Sequence, residues 1–449
     1  MKITHLSNSF ILVESLQGSV NIACDPWIGI GNYGGWHSYP EFFSKDLYEL
    51  METVDYVYIS HLHDDHFDPL FLKNSGLINK KFIIKKFDIP VLANRLKGLG
   101  VKEIIEIPPW EIYTIGNMQL SIIPQMSSNS SELEDAVGYD LDTSIVFHEK
   151  NSTFFNQVDN PLGKDNLRTV KEFIENNFGT LTVAALTCGA ASEYPQAFLN
   201  IDRAKEQSRI IDDSIQSLEG KLDVLYPNNF FLAGGTYFAP GPFSTLNQYI
   251  AFPDHPLVTK ALDESYQKPL NLEGGKTLVL NTDSSSQDIA IIEKITPCSS
   301  SMKESIDAHS HDKFLYEDDH FTGNKALLDE IFNLATENWK IATKEMSFSN
   351  IQNVEFTVYS SMTLDSKGNI ATLEVVNNYK LSHPDQSQSL KVYIHQTAFY
   401  KCLIRQQVWN GTIGGCCLFE REPNIFYPNT TFSLNYLVLN KNQISDYVS

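Results

Sequence analysis

The apolar run Val54-Asp-Tyr-Val-Tyr-Ile59 stops abruptly at Ser60-His61-Leu62-His63-Asp64-Asp65-His66-Phe67-Asp68-Pro69. A run of that length and composition reads as a buried strand. The fold must therefore deliver three histidines and three aspartates together at a strand end. On an extended backbone, side chains two residues apart share a face, so His61 and His63 can converge on one metal ion. As the chain turns toward a helix, Asp65 and His66 can face a second ion beside the first. Imidazole and carboxylate are donors that hold zinc, iron or manganese with positions left open for water. The bland alternative is a solvated loop, or core histidines satisfied by carbonyls.

The rest of the chain supplies a scaffold for such a site. Phe10-Ile-Leu-Val13 and Val20-Asn-Ile-Ala23 flank a turn at Gln17-Gly18 and predict a hairpin ending at Asp25-Pro26. A Gly- and aromatic-rich loop follows from Trp27 to Trp36. Short strands and helices then alternate, with a helix near Val91 to Leu99, strands at Met118 to Ile123 and Ser144 to Phe147, and Phe154-Phe-Asn-Gln-Val158 leading into Asp159. An amphipathic helix is expected from about Ala204 to Leu218, with strands at Leu222 to Tyr226 and Lys276 to Leu280. This order suggests sheets with helices on their outer faces. The Ser-, Asp- and His-rich stretch from Pro297 to Asp319 reads as a linker. Beyond it, Leu327, Leu328, Ile331, Phe332, Leu334, Ala335 and Trp339 mark the apolar stripe of a helix. Val354 to Met362 and Ile370 to Val376 form a hairpin around Asp365-Ser-Lys-Gly368.

The motif His61, His63, Asp65, His66 resembles the His-x-His-x-Asp-His signature of the metallo-β-lactamase superfamily. Asp25 matches that family's acid at the end of an early strand, and Asp159 its bridging metal ligand. The resemblance implies an α+β fold: a four-layer αββα sandwich over residues 1–295, a linker at 296–321, and a smaller α+β domain at 322–449. Asp25-Pro-Trp27, Gly34-Gly-Trp36, Tyr58 to His63, Val158-Asp-Asn160 and Ala185 to Pro195 are similar to the CMP-N-acetylneuraminate hydroxylase branch. Leu232-Ala-Gly234, Tyr237-Phe238 and Val392 to Phe432 extend that likeness. Hydroxylases of that branch carry a Rieske domain ahead of the sandwich. This chain begins directly in the hairpin and has no Cys-x-His pair, so an oxygenase role calls for a separate electron donor.

The ligand set implied is His61, His63 and Asp159 on one ion, with Asp65, His66 and Asp159 on the other. The cofactor is thus one or two ions of iron or zinc. Three protein ligands plus water is a catalytic arrangement, able to bring the pKa of bound water to about 7. Asp65 is expected as a metal ligand or as the proton acceptor near that water. The family's further histidines have no evident counterparts. Pro124-Gln-Met-Ser127 and Leu225-Tyr-Pro-Asn-Asn229 stand where they belong, and His255 is the nearest remaining histidine. Trp27, Tyr33 and Trp36 are candidates to cover the metal edge. His309, His311, Asp312, Glu317 to Asp319 and His320 form a second cluster, read as a solvated loop in the linker.

The balance of 34 basic against 55 acidic residues leaves a net charge of −21 without a basic stripe. That disfavours nucleic acid and anionic membrane surfaces as partners. No signal-like start and no long apolar window are evident, so a soluble, cytoplasmic protein is expected. The six scattered cysteines suit reduced thiols. The motif predicts a metal-dependent enzyme, oxygenase or hydrolase, and the resemblance implies a polar small molecule such as a nucleotide sugar as its substrate. The rival is a non-catalytic binding or scaffold protein that retains a degenerate site.

Overall fold

The computed structural model describes residues 1–126, 142–189, 191–280, 289–319, 321, 325–346, 351–383, 388–421 and 428–445. Successive strand residues of the N-terminal unit are apolar because both faces of each sheet are covered. Ile11 and Val13 point into one core, while Phe10 and Leu12 of the same strand point into another. Phe154 and Phe155 split in the same way.

The first sheet has eight strands, in the order Ile289–Glu293, Lys276–Leu280, Lys2–Ser7, Phe10–Glu14, Asn21–Cys24, Tyr56–Tyr58, Lys81–Lys85 and Ile104–Ile107. The second has six: Asn229–Leu232, Val183–Leu186, Ser152–Asn156, Ser144–Glu149, Met118–Ile123 and Tyr113–Ile115. Ile3, Ile22 and Ile83 of the first sheet share a buried core with Leu120, Phe147 and Phe231 of the second. Helices Ser44–Glu52, Pro69–Asn74 and Val91–Leu99 cover the outer face of the eight-stranded sheet through Leu47, Phe71, Leu92 and Leu96. Helices Lys164–Asn177 and Arg203–Leu225 cover the other sheet through Val170, Ile174, Leu218 and Leu222. The layer order is helix, sheet, sheet, helix. The protein is an α+β chain built on an αββα sandwich.

The hairpin and the strand at Lys276 lie where the sequence puts them, and a further strand, Lys2–Ser7, precedes the hairpin. One expectation is corrected. Residues 222–226 are not a strand: the helix runs on through Leu225, because Leu218, Leu222 and Leu225 repeat on one buried face. It stops at Tyr226, whose φ of 48° breaks the helix just ahead of Pro227. The paired strand is Asn229–Leu232.

In the C-terminal part, helix Lys325–Glu345 lays Leu328, Ile331, Phe332, Ala335 and Trp339 on a four-stranded sheet. That sheet runs Ile370–Leu381, Asn353–Leu364, Ser389–His395 and Leu418–Arg421. The segment read as a polar linker is ordered. It carries the helix Met302–Ala308, and Phe314 and Tyr316 are buried in the same core as the C-terminal helix. Two apolar anchors in an otherwise polar stretch were too sparse to give a periodic signal. His320 lies outside the described residues. Among the described residues, no helix is long and apolar enough to cross a membrane.

His5 sits in the bulged part of strand Lys2–Ser7, 2% exposed, with its Nε2 2.8 Å from the Asn8 carbonyl. Burial, only partly offset by that bond, lowers its pKa to about 4. Above pH 6.5 the ring is neutral in both folded and unfolded chains. Below it, the unfolded chain takes up a proton that the folded chain refuses until about pH 4, so stability falls with pH across that window. The expected contribution is on the order of 3 kcal/mol. Urea unfolding of His5→Gln against the parent checks this: the parent should lose stability more steeply between pH 6.5 and 4.

Candidate metal centre

The strand Tyr56–Tyr58 runs parallel to Asn21–Cys24, which brings two chain segments side by side at one sheet end. Asp25 follows the second of these, fully buried and at a φ of 45°. Its carboxylate accepts the Ser60 backbone N–H and the Ser60 hydroxyl, both at 2.7 Å, and the His66 ring at Nδ1, 3.1 Å away. Since Ser60 gives its hydroxyl proton to Asp25, the His61 Nδ1–H must donate to Ser60 Oγ at 2.9 Å. The far nitrogens, Nε2 of His61 and Nε2 of His66, are thereby turned toward the same space. A carboxylate or hydroxyl behind an imidazole is the usual device for fixing a ligating ring.

Two groups of donor atoms result, each with all its members within 4.8 Å of one another: His61, His63 and Asp142; and His61, His66 and Asp159. His61 Nε2 is 2.8 Å from His63 Nδ1 and 3.3 Å from Asp142 Oδ1. His66 Nε2 is 3.2 Å from Asp159 Oδ2 and 3.5 Å from Asp65 Oδ2. Asp65 also accepts the side-chain amide of Asn8 at 3.3 Å. All five residues named from the sequence thus meet in one place, but the carboxylates are shared out differently. The sequence grouping sets Asp159 beside His61 and His63, whereas the carboxylate next to that pair is Asp142. Asp142 stands where the family supplies a histidine only if the donor type is free to change, so the motif does not point to it. Its only trace is an acid just ahead of the apolar strand Ser144–Glu149. Ser127 lies outside the described residues. His255 does not join the cluster, its Nε2 being spent on the Pro269 carbonyl at 3.0 Å.

The electrostatics fit a cation. Burial and the neighbouring charges of His66 and His63 hold His61 well below the usual imidazole range. Burial also pulls His66 down, yet Asp65 and Asp159 overcome it and hold that ring well above its ordinary value. Burial opposes the Asp65 charge, but His66 outweighs it and the carboxyl is pushed down to about 2. A site that draws positive charge against burial, using acids and paired imidazole nitrogens, has the donor chemistry of zinc or iron.

Beside the centre lies a cavity of about 450 Å³, lined by His63, Asp64, Asp65 and Asp159 on one side and by Val408, Asn410, Gly411 and Asn435 on the other. The C-terminal wall is held on by close backbone contact. A Cβ on Gly35 would sit 2.1 Å from the Gly415 carbonyl oxygen, so glycine is required there. Tyr33 accepts the Val408 N–H at 2.7 Å. Trp36 lines the cavity and stacks on Tyr237 at 4.3 Å, whereas Trp27 is wholly buried.

No protein-family profile matches the chain. Among curated proteins, a putative Rieske 2Fe-2S iron–sulfur protein of Mycolicibacterium smegmatis is 30% identical over 209 residues, which is 46% of this chain and 38% of that protein. A putative Rieske 2Fe-2S protein of Mycobacterium tuberculosis is 27% identical over 207 residues, with the same coverage. The match spans well under half the length of these relatives. Among solved structures, CmlA, a diiron β-hydroxylase from Streptomyces venezuelae, is 15% identical with a TM-score of 0.38, covering 52% of this chain and 44% of that one. The metallo-β-lactamase fold protein YhfI from Bacillus subtilis is 14% identical at a TM-score of 0.31, covering 52% and 84%. At such scores the architecture rests on the sheets and helices described above.

Asp25→Asn keeps the shape behind Ser60 and His66 but removes the charge. Its expected effect is a 10- to 100-fold loss of metal affinity, measured by competition with a chromophoric chelator.

Proposed function

We propose that this chain is a metal-dependent enzyme of the metallo-β-lactamase superfamily, similar to its hydroxylase-like branch. Residues 1–295 form the catalytic unit, and the unit from 322 onward closes the cavity over it. The supporting observation is the pair of two-histidine, one-carboxylate groups sharing His61 at the edge of that cavity. Such sets suit iron, and also zinc.

His61, whose one free lone pair is on Nε2, would hold one ion with His63 and Asp142, and His66 and Asp159, with Asp65 alongside, would hold a second. When bound, such ions supply Lewis acidity and, for iron, redox chemistry. Asp25 and Ser60 keep the ligating rings in place. Asp65, ionised and lining the cavity, is the proton acceptor. Arg95, Asn32, Asn410 and Asn435 offer a charged donor and amides to the substrate, which favours a polar small molecule. The curated relatives are named as putative Rieske iron–sulfur proteins, and these 449 residues contain no Cys-x-His pair. An oxygenase reading therefore calls for an electron donor outside these 449 residues.

The test is metal analysis of protein purified without chelator, together with oxygen uptake in the presence of a reductant. Bound iron or zinc is expected, and His61→Ala/His63→Ala should lower it by one or two equivalents and abolish turnover. A metal content and a turnover both unchanged by this double substitution would overturn the proposal. Oxygen uptake separates oxygenase from hydrolase.

A further inference from the structure

Strand Trp36–Ser38 turns Trp36 toward the cavity, so His37, the next residue, faces the other way. There it stacks on Phe238 at 5.0 Å and lies 4.3 Å from the ring of His309, which reaches it from the segment expected to be a solvated linker. Glu41 completes the group: the donor atoms of His37, Glu41 and His309 all lie within 4.8 Å of one another. This cluster stands apart from the centre at His61 and does not depend on how that centre is read.

The proton positions follow from the partners. His37 Nδ1 is 3.1 Å from the Ser38 carbonyl, which only accepts, so Nδ1 carries the hydrogen and Nε2 keeps its lone pair. Burial, offset in part by that bond, holds this ring below its ordinary pKa and favours the neutral form. His309 Nδ1 is 2.6 Å from Asp312 Oδ2, so it too carries the hydrogen on Nδ1. Both Nε2 atoms then face one oxygen: Glu41 Oε1 is 2.9 Å from His309 Nε2 and 3.7 Å from His37 Nε2. Burial lowers the His309 pKa, but Asp312 and Glu41 outweigh it and raise it, so without an ion that ring carries a second proton toward Glu41. His37 Nε2 then meets the same carboxylate only at 3.7 Å, whereas a metal ion in place of that proton accepts from all three.

The donors sit on anchored backbone. His37 pairs with Phe238 in a three-stranded sheet formed by Tyr237–Phe238, Trp36–Ser38 and Ile30–Gly31. The Glu41 carbonyl accepts the Cys298 N–H at 2.9 Å, and the His309 carbonyl accepts the Gly241 N–H at 2.9 Å. The Glu41 and His309 side chains are 20% and 25% exposed, which leaves a route for an ion from solvent. Asp312 behind His309 repeats the carboxylate–histidine–metal arrangement.

We propose that His37, Glu41 and His309 bind a divalent transition-metal ion, zinc by preference, with Asp312 orienting His309. Two imidazoles and a carboxylate, with water as fourth ligand, suit tetrahedral zinc. The ion fastens the 297–312 segment to residues 37–41. That segment leads to Leu315, whose N–H binds the Tyr33 carbonyl at 2.9 Å in the loop bordering the cavity.

The experiment uses the full chain carrying His61→Ala/His63→Ala, stripped with chelator and titrated with zinc chloride alone. Bound zinc after desalting and the zinc-induced change in Tm are both read. One equivalent should bind and raise Tm. Glu41→Gln or His309→Gln added to this background should abolish both effects, and Asp312→Asn should weaken binding 10- to 100-fold. No binding in the background, or binding that survives both glutamine substitutions, would overturn the site in favour of a plain imidazolium–carboxylate pair. Should the background not fold, the count is made in the otherwise unaltered chain. There each glutamine substitution should remove one zinc equivalent, and an unchanged count overturns the assignment.

Discussion

The carboxylate of Asp25, without exposed surface, is the fixed point on which the candidate centre turns. It binds one histidine directly and another through the Ser60 hydroxyl, while also capturing the Ser60 backbone. Burial raises its pKa in spite of these bonds, so keeping it ionised depends on His66 and Ser60 in return. Fixing two rings from one acid removes much of the rotamer freedom that would otherwise oppose their convergence. The parallel pairing of Asn21–Cys24 with Tyr56–Tyr58 makes the arrangement possible, because it brings both segment ends to the same sheet edge.

The sandwich was legible because its strands are apolar on both faces and its motif ends a strand. His61, His63, Asp65 and His66 lie within six residues, and local geometry alone brings them together. What depends on distant chain was less legible. Asp142 is eighty-one residues beyond His61, and an isolated acid before a strand has no pattern of its own. Leu222 to Tyr226 was misread because a short apolar run suits strand and buried helix equally, and only the phase shared with Leu218 distinguishes them. His309 looked like part of a polar connection because its partners, His37 and Glu41, stand about 270 residues earlier, and no local rule reports such a contact.

The N- and C-terminal parts share a buried core, in which Ala197, Phe198, Phe243 and Leu246 pack with C-terminal residues, and they also meet backbone to backbone. Glycine faces glycine at Gly35 and Gly415, the Cys416 thiol donates to the Asn32 carbonyl at 3.2 Å, and Tyr33 accepts from Val408. Contacts through backbone leave little room for sliding. The opposite wall of the cavity is therefore held at a set height above the donor cluster.

That wall comes late in the chain. The strands and donors around His61 lie before residue 294, whereas Val408 to Gly414 follow more than a hundred residues later. At a synthesis rate of about 5–20 residues per second, this interval is roughly 6–23 s on the ribosome. A nascent chain thus presents an uncovered, acid-rich donor cluster to the surrounding medium before its roof exists. Any cation taken up at that stage would be enclosed only once the second wall arrives.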